Sequence, residues 1–299
     1  MTDQTLIARI RDLSTPLEPK PTGMEPWLEP LQGIKAVLFD VYGTLLISAS
    51  GDIGLGGNPS GSIGLPALLA NAGINADTRP SRSGIQQQLR APIGERLSAA
   101  IRADHADARA SGKLYPEVDI RAIWATLLAE HGYQATPQQL ERIAVEYECR
   151  INPVWPMPGL ADLLGALRQR GLLLGIVSNA QFYTPLILEA VLGQAPAELG
   201  LEPSCSAWSY QLREAKPSTI IYQVALDGLA RKHGIPPEQV LYIGNDRRND
   251  IWPAQQLGLK TALFAGDARS LRLREDDPKL IGVSADRVMT QLDQVEQIV

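Results

Sequence analysis

The stretch Ala36-Val37-Leu38-Phe39-Asp40-Val41-Tyr42-Gly43-Thr44-Leu45 decides the fold. Four apolar residues run without a polar break and stop at an acid, with a glycine close behind. An alternating pattern would mark a strand with one wet face. An unbroken run marks a strand covered on both faces, as in a parallel sheet. The pattern recurs downstream: Leu172 to Val177 stops at Ser178-Asn179, Val240 to Ile243 at Gly244-Asn245-Asp246, and Thr261 to Phe264 at Ala265-Gly266-Asp267. Helical periodicity fills the intervals, over Leu160 to Arg170, Pro185 to Leu192, Pro217 to Lys232 and Asn249 to Leu257. Strand and helix in alternation predict an α/β fold, a doubly wound, Rossmann-like parallel sheet. Ligands of such sheets bind at the carboxyl ends of the strands, where Asp40, Ser178, Asn179 and Asp246 fall.

Between Leu46 and Trp155 the alternation stops. Helical patterns at about Ser83 to Asp104, Val118 to His131 and Pro137 to Cys149 predict an inserted all-α cap. Its entry, Ser50 to Gly64, holds six glycines, and its exit, Asn152 to Gly159, holds Pro153, Pro156 and Pro158. Both read as domain-boundary linkers. Upstream, a helix over Gln4 to Leu13 precedes a Pro-rich tether that should lie across a surface. The expected organisation is an N-terminal extension (1–33), a core (34–47 and 157–299) and a cap (48–156). Gly54-Leu55-Gly56-Gly57 has neither the preceding strand nor the helix of a phosphate loop, and reads as a linker or flap.

Composition narrows the function classes. Of 299 residues, 44% are hydrophobic and 20% charged, an ordinary globular balance. The formal net charge of −5 provides no basic field for nucleic acid or anionic lipid. No apolar run approaches the length of a membrane span, and the first residues lack the apolar core of a signal peptide. Two cysteines, Cys149 and Cys205, suit a reducing compartment. The three histidines, His105, His131 and His233, lie too far apart for a zinc spacing. The expectation is a cytoplasmic protein with a small anionic metabolite as partner, and neither nucleic acid nor membrane.

Four segments, in order, resemble the haloacid-dehalogenase superfamily. Asp40-Val41-Tyr42-Gly43-Thr44-Leu45 resembles its first motif, D-x-[DY]-G-T-L, and Val177-Ser178-Asn179 its second, a Ser or Thr at the next core strand end. Lys216-Pro217-Ser218-Thr219-Ile220-Ile221-Tyr222 is similar to the third, a Lys-Pro helix start. Tyr242-Ile243-Gly244-Asn245-Asp246-Arg247-Arg248-Asn249-Asp250 is similar to the fourth, an acidic pair after a strand. The resemblance covers roughly 34 to 47 and 157 to 270.

The resemblance implies a covalent mechanism with Asp40 as nucleophile, which divides one difficult displacement into two easier steps. It implies that Ser178 and Thr44 donate hydroxyl hydrogen bonds to the substrate's anionic group, beside Asn179. Lys216 would neutralise the nucleophile and the transferring group. Commoner members carry an acid directly after the glycine, where this chain has Asn245. Asp246 is therefore the expected metal ligand, and Asp250 the acid that orients it or holds Lys216. Asp40, the carbonyl of Tyr42 and Asp246 then form an oxygen-rich site suited to Mg²⁺.

Tyr42 points the other way. Superfamily phosphatases usually carry a second Asp there as acid and base, whereas D-x-Y-G-T-L is similar to the 2-haloacid dehalogenases, whose halide leaves without a proton. A tyrosine, with an ordinary pKa of about 10, donates a hydrogen bond but is a poor base near neutrality. A dehalogenase would need a halide-cradling arginine from the insertion, among Arg79, Arg82, Arg90, Arg96 and Arg102. His105 is a candidate replacement acid, whereas Trp124 and Tyr147 read as insertion core. Three functions stay open: an Mg²⁺-dependent phosphatase of a small metabolite, a metal-independent 2-haloacid dehalogenase, and a catalytically weak binding protein on this scaffold.

Overall fold

A computed structural model describes residues 3–50, 63–74 and 92–299. The Gly-rich segment after Ser50, the helical pattern before Pro92, and Arg79, Arg82 and Arg90 lie outside the described residues. In chain order the elements are α1 (Asp3–Leu13), β1 (Ala36–Phe39), β2 (Leu46–Ser48), α2 (Leu65–Asn71), α3 (Ile93–Ala110), α4 (Ile120–Glu130) and α5 (Pro137–Ile151). They continue with β3 (Val154–Pro156), α6 (Leu160–Gln169), β4 (Leu173–Ser178), α7 (Thr184–Leu192), β5 (Ala207–Trp208) and α8 (Ser209–Leu212). Next come α9 (Thr219–His233), β6 (Val240–Gly244), α10 (Trp252–Gln256), β7 (Lys260–Phe264), β8 (Arg287–Met289) and α11 (Val295–Ile298).

Six strands form one sheet in the order β5-β4-β1-β6-β7-β8. Every pairing in it is parallel, with β1 at the centre between β4 and β6. The four strands read from apolar runs are its four central strands, and β1 and β6 are buried at every residue. The edge strands β5 and β8, two and three residues long, carry no such signature.

Helices α2 to α5 lie in the chain between β2 and β3, which pair antiparallel as the neck of the insertion. At that neck Asn152 accepts from the Ser48 hydroxyl and the Ser50 amide and donates to Glu148, tying the ribbon to α5. The N-terminal segment packs as its sequence suggests. Leu6, Ile7 and Ile10 are buried, and Trp27 exchanges backbone hydrogen bonds with Val288 on the edge strand β8.

The fourth segment departs from expectation. A single helix from Asn249 was expected; instead Arg247–Ile251 form a π-helical turn that leads into α10. Such turns accommodate one extra residue and recur at functional sites. Asp246 caps this one, accepting from the amides of Arg248 and Asn249.

Candidate active site

The carboxyl ends of β1, β4 and β6 converge on Asp40. It is buried, and its Oδ1 accepts from Ser178 Oγ at 2.9 Å and from Lys216 Nζ at 2.7 Å. Lys216 also donates to Asp250 Oδ1 at 2.6 Å and to the Tyr242 hydroxyl at 3.3 Å. An ammonium has three donors, so these acceptors saturate it. The side chain thus ties Asp40 to Asp250. Burial alone would lower its pKa; the carboxylates of Asp250 and Asp40 outweigh that and hold the lysine charged. Burial pushes Asp250 up to about 7, against the pull of Lys216.

Neighbouring groups fix this cluster. Asn179 Oδ1 accepts the Lys216 amide at 2.7 Å, anchoring the segment that carries the lysine to the end of β4. Asp250 Oδ2 accepts the Asp246 amide at 2.8 Å. A Cβ at Gly244 would strike the Asp250 carboxyl, so the close approach of strand and carboxylate requires glycine there. Gly43 turns the chain after Asp40 with φ +82°, and a Cβ there would strike Ser270 and Asn245. Tyr242 was read only as part of an apolar strand. Its signal was available, because a tyrosine inside a doubly covered strand must find a partner for its hydroxyl. That hydroxyl lies 2.9 Å from the Val177 carbonyl oxygen and 3.1 Å from Asp250 Oδ1.

The hydroxyls of Thr44 and Tyr42 both meet partners within the protein. The Thr44 hydroxyl, fully buried, donates to Asn245 Oδ1 at 3.1 Å. The Tyr42 hydroxyl lies 2.9 Å from that of Thr184, at the start of α7. Burial, with Glu148 nearby, pushes Tyr42 well above its ordinary value despite the bond to Thr184. Its side chain belongs to the hydrophobic core that joins insertion and sheet.

Asp40, the Tyr42 carbonyl and Asp246 supply oxygen only, which fits Mg²⁺, an ion that needs one or two carboxylates and completes its shell with water and substrate. Among the described residues no group of three or more His, Cys, Asp or Glu side chains is gathered for a metal, so such a shell would draw on the Tyr42 carbonyl, water and substrate. Asp246 is shared: Arg274 donates to Oδ2 at 2.7 Å and to Oδ1 at 3.3 Å. Asn245 is the other fourth-segment oxygen near the nucleophile loop, through its contact with Thr44.

Beside the cluster lies a cavity of about 190 Å³ between the insertion and the core. Leu97, Ile101 and His105 face it from α3, at the four-residue spacing of one helix face. Trp124 faces it from α4, and Tyr147 and Glu148 from α5. Asn179 and Ala215 line it from the core, each adjacent in sequence to a group bonded to Asp40. Glu117, in the loop before α4, links the two sides. It accepts from Ser209 Oγ at 2.7 Å and from Gln181 Nε2 at 3.2 Å. None of the sequence motifs pointed to Glu117, Gln181 or Ser209.

Burial pushes Glu117 and Glu148 up to about 7 each. A carboxyl raised in the folded state stabilises the protein below its ordinary range near 4, and that stabilisation is lost as pH rises through about 7. Glu148→Gln should therefore flatten the profile. Wild-type Tm is expected to fall from pH 5 to pH 8 by more than that of the variant, as differential scanning calorimetry would record.

A family profile described as haloacid dehalogenase-like hydrolase matches residues 34–258. The chain belongs to that family and is a hydrolase. It is 30% identical over 250 residues to a phosphoglycolate phosphatase of Xanthomonas campestris pv. campestris, covering 82% of this chain and 87% of the relative. It is 30% identical over 208 residues to a phosphonoacetaldehyde hydrolase of Bordetella pertussis, covering 65% and 67%. A 2-haloacid dehalogenase from Pseudomonas syringae pv. Tomato shares the fold, with TM-score 0.53 and 20% identity over 88% of this chain and 97% of that one. No helix among the described residues is long and apolar enough to cross a membrane.

Proposed function

We propose that the protein hydrolyses phosphate monoesters of small metabolites through a covalent intermediate on Asp40. The observation that carries the reading is the buried Asp40–Lys216–Asp250 cluster at the sheet's carboxyl edge, which keeps a carboxylate oriented beside a cavity. The names of the two 30% identical relatives specify small phosphorus-bearing anions, which supports phosphate over halide.

In this reading an Asp40 oxygen attacks phosphorus, the bond to the alcohol oxygen breaks, and the leaving oxygen takes a proton from water, which the hydrolysis step returns to solvent. Water then attacks the phosphorus of the acyl phosphate, releasing phosphate and restoring the Asp40 carboxylate. Lys216 and Ser178 both bond one oxygen of Asp40 and fix it. Mg²⁺ would be held by Asp40, the Tyr42 carbonyl and Asp246, and when bound it offsets the charge between nucleophile and phosphate. The insertion, acting as a cap, would exclude bulk water beyond the one that hydrolyses the intermediate.

Tyr42 favours a second reading. With its hydroxyl bonded to Thr184, it leaves the acid's usual position without a base. A 2-haloacid dehalogenase needs no proton for its halide. The deciding experiment offers an aryl phosphate and 2-chloropropionate side by side, with and without chelator. Phosphate release that chelator abolishes and Mg²⁺ restores is the expected result. Chloride release in excess chelator, without phosphatase activity, would reverse the assignment, and turnover of either substrate excludes the binding-protein alternative. Asp246→Ala should raise the Mg²⁺ requirement far more than Asn245→Ala. The opposite ranking would make Asn245 the ligand and leave Asp246 to Arg274.

A further inference from the structure

We propose that Asn245 is a positioning residue, whose side-chain amide pins the turn that follows Asp40 to the loop after β7, at a place that admits an amide and rejects a carboxylate. This rests on the reading of Asp40 as nucleophile. Commoner superfamily members carry an acid at this position, so the assignment gives the residue here a different task.

The amide is bonded at both ends. Its Oδ1 accepts from the Thr44 hydroxyl at 3.1 Å, and its Nδ2 donates to the Ser270 carbonyl at 2.6 Å. A carbonyl only accepts, so the nitrogen has to face Ser270 and the oxygen Thr44. All three residues are buried, Thr44 completely, so a lost bond leaves an unpaired group in the interior. A carboxylate of the same shape would set an acceptor against the Ser270 carbonyl, with no hydrogen between them.

Both anchors are themselves held. Thr44 lies in the tight turn between β1 and β2, where the amides of Thr44, Leu45 and Leu46 all donate to the Val41 carbonyl. Gly43 makes room for the amide: a Cβ there would lie 2.7 Å from Asn245 Nδ2. On the other side the Ser270 amide donates to the Asp267 carbonyl, and the Arg272 amide donates to the Asn245 carbonyl at 2.9 Å. The Pro-rich tether braces this loop from outside. Its Lys20 carbonyl accepts the Ala268 amide at 2.8 Å, and its Glu18 carbonyl accepts from Arg269 Nη2 at 2.6 Å. The N-terminal segment is thereby joined, through the loop and Asn245, to the turn that carries the nucleophile.

Ser178 and Lys216 fix the carboxylate oxygen of Asp40, whereas Asn245 fixes the backbone behind it, including the peptide of Tyr42 and Gly43. A displacement of about 1 Å in a reacting group can cost about 10²-fold in rate.

The test uses steady-state kinetics on an aryl phosphate, with thermal melts of the same preparations in excess chelator. Asn245→Asp and Asn245→Ala should each lower kcat by about 10–10²-fold with little change in KM, because the nucleophile shifts and the substrate's own contacts stay. Thr44→Val should act likewise, and Thr44→Ser, which keeps the hydroxyl, should recover most of what Thr44→Val loses. Both side chains act through one bond, so Asn245→Ala/Thr44→Val should lose no more than the worse single variant. Losses that multiply would overturn the proposal. So would an Asn245→Asp variant as active as the parent, which would turn the side chain toward the reacting groups. Should Asn245→Ala fail to fold, the Thr44→Val and Thr44→Ser pair carries the comparison with Asn245→Asp.

The melts test the amide without turnover. Asn245→Asp alone sets two acceptors face to face, so its Tm should lie below that of Asn245→Ala by about 3 °C or more. If Asp40→Asn keeps parental activity, the nucleophile reading fails instead, and the melts decide the place of the amide by themselves. Equal Tm values, or the reverse order, would then overturn it.

Discussion

Asp40→Asn is expected to fold like the parent protein and to lose at least about 10⁴-fold in kcat, since removal of a covalent nucleophile ranks among the largest single losses an enzyme shows. The retained fold follows from the contacts. Both groups bonded to the carboxylate, Ser178 and Lys216, meet the single oxygen Oδ1, and an asparagine keeps an oxygen acceptor at that place. What it loses is the negative charge that forms the intermediate. A thermal melt and a turnover assay on the same preparation separate the two outcomes. A single turnover of the parent enzyme in ¹⁸O-water adds the identity of the intermediate. Water that attacks phosphorus delivers its label to the released phosphate, whereas an ester left by halide displacement is opened at its carbonyl and labels Asp40. Activity near the parental level in Asp40→Asn would remove the nucleophile from the mechanism.

The parts of this site that the sequence makes legible are those fixed by strand ends. Asp40, Ser178 and Asp246 each follow an apolar run, and the run itself, buried on both faces, locates the residue at the sheet's carboxyl edge. Lys216 carries no such marker and was found through the resemblance alone. Side-chain direction is less legible. The partner of Tyr42 is Thr184, 142 residues away, so no local pattern distinguishes a hydroxyl aimed at the nucleophile from one aimed at α7. The turn after Asp246 closes through a π-helical bond pattern that a 3.6-residue period does not contain. The short edge strands depend on neighbours for their pairing: Ala207–Trp208 form a strand because β4 is beside them. Within the insertion, Trp124 on α4 reads correctly as core, whereas His105 on α3 was singled out only as a candidate acid.

Lys216→Met should lower kcat by about 10²–10³-fold, the range seen when one fixed electrostatic partner is removed from an active site, and should also destabilise the fold. The two effects have different causes. In the parent, one ammonium is shared by two carboxylates, with its Nζ 2.7 Å from Asp40 and 2.6 Å from Asp250. All three side chains are nearly inaccessible to water. Withdrawal of the cation leaves two buried acids facing each other, and breaking a buried pair on one side typically costs about 3–5 kcal/mol. Asp250, which burial already pushes up to about 7, is the group whose protonation relieves that cost most readily. The double variant Lys216→Met/Asp250→Asn should consequently recover much of the lost Tm, because the remaining Asp40 no longer faces an unpaired acid. It should not recover kcat, because Asp40 still lacks the cation that holds it in place and offsets charge in the transition state. Recovery of activity together with stability would make Lys216 a structural residue and leave the nucleophile independent of it. Denaturant melts and turnover of one aryl phosphate, measured across the parent, both single variants and the double variant, form the cycle that separates these contributions.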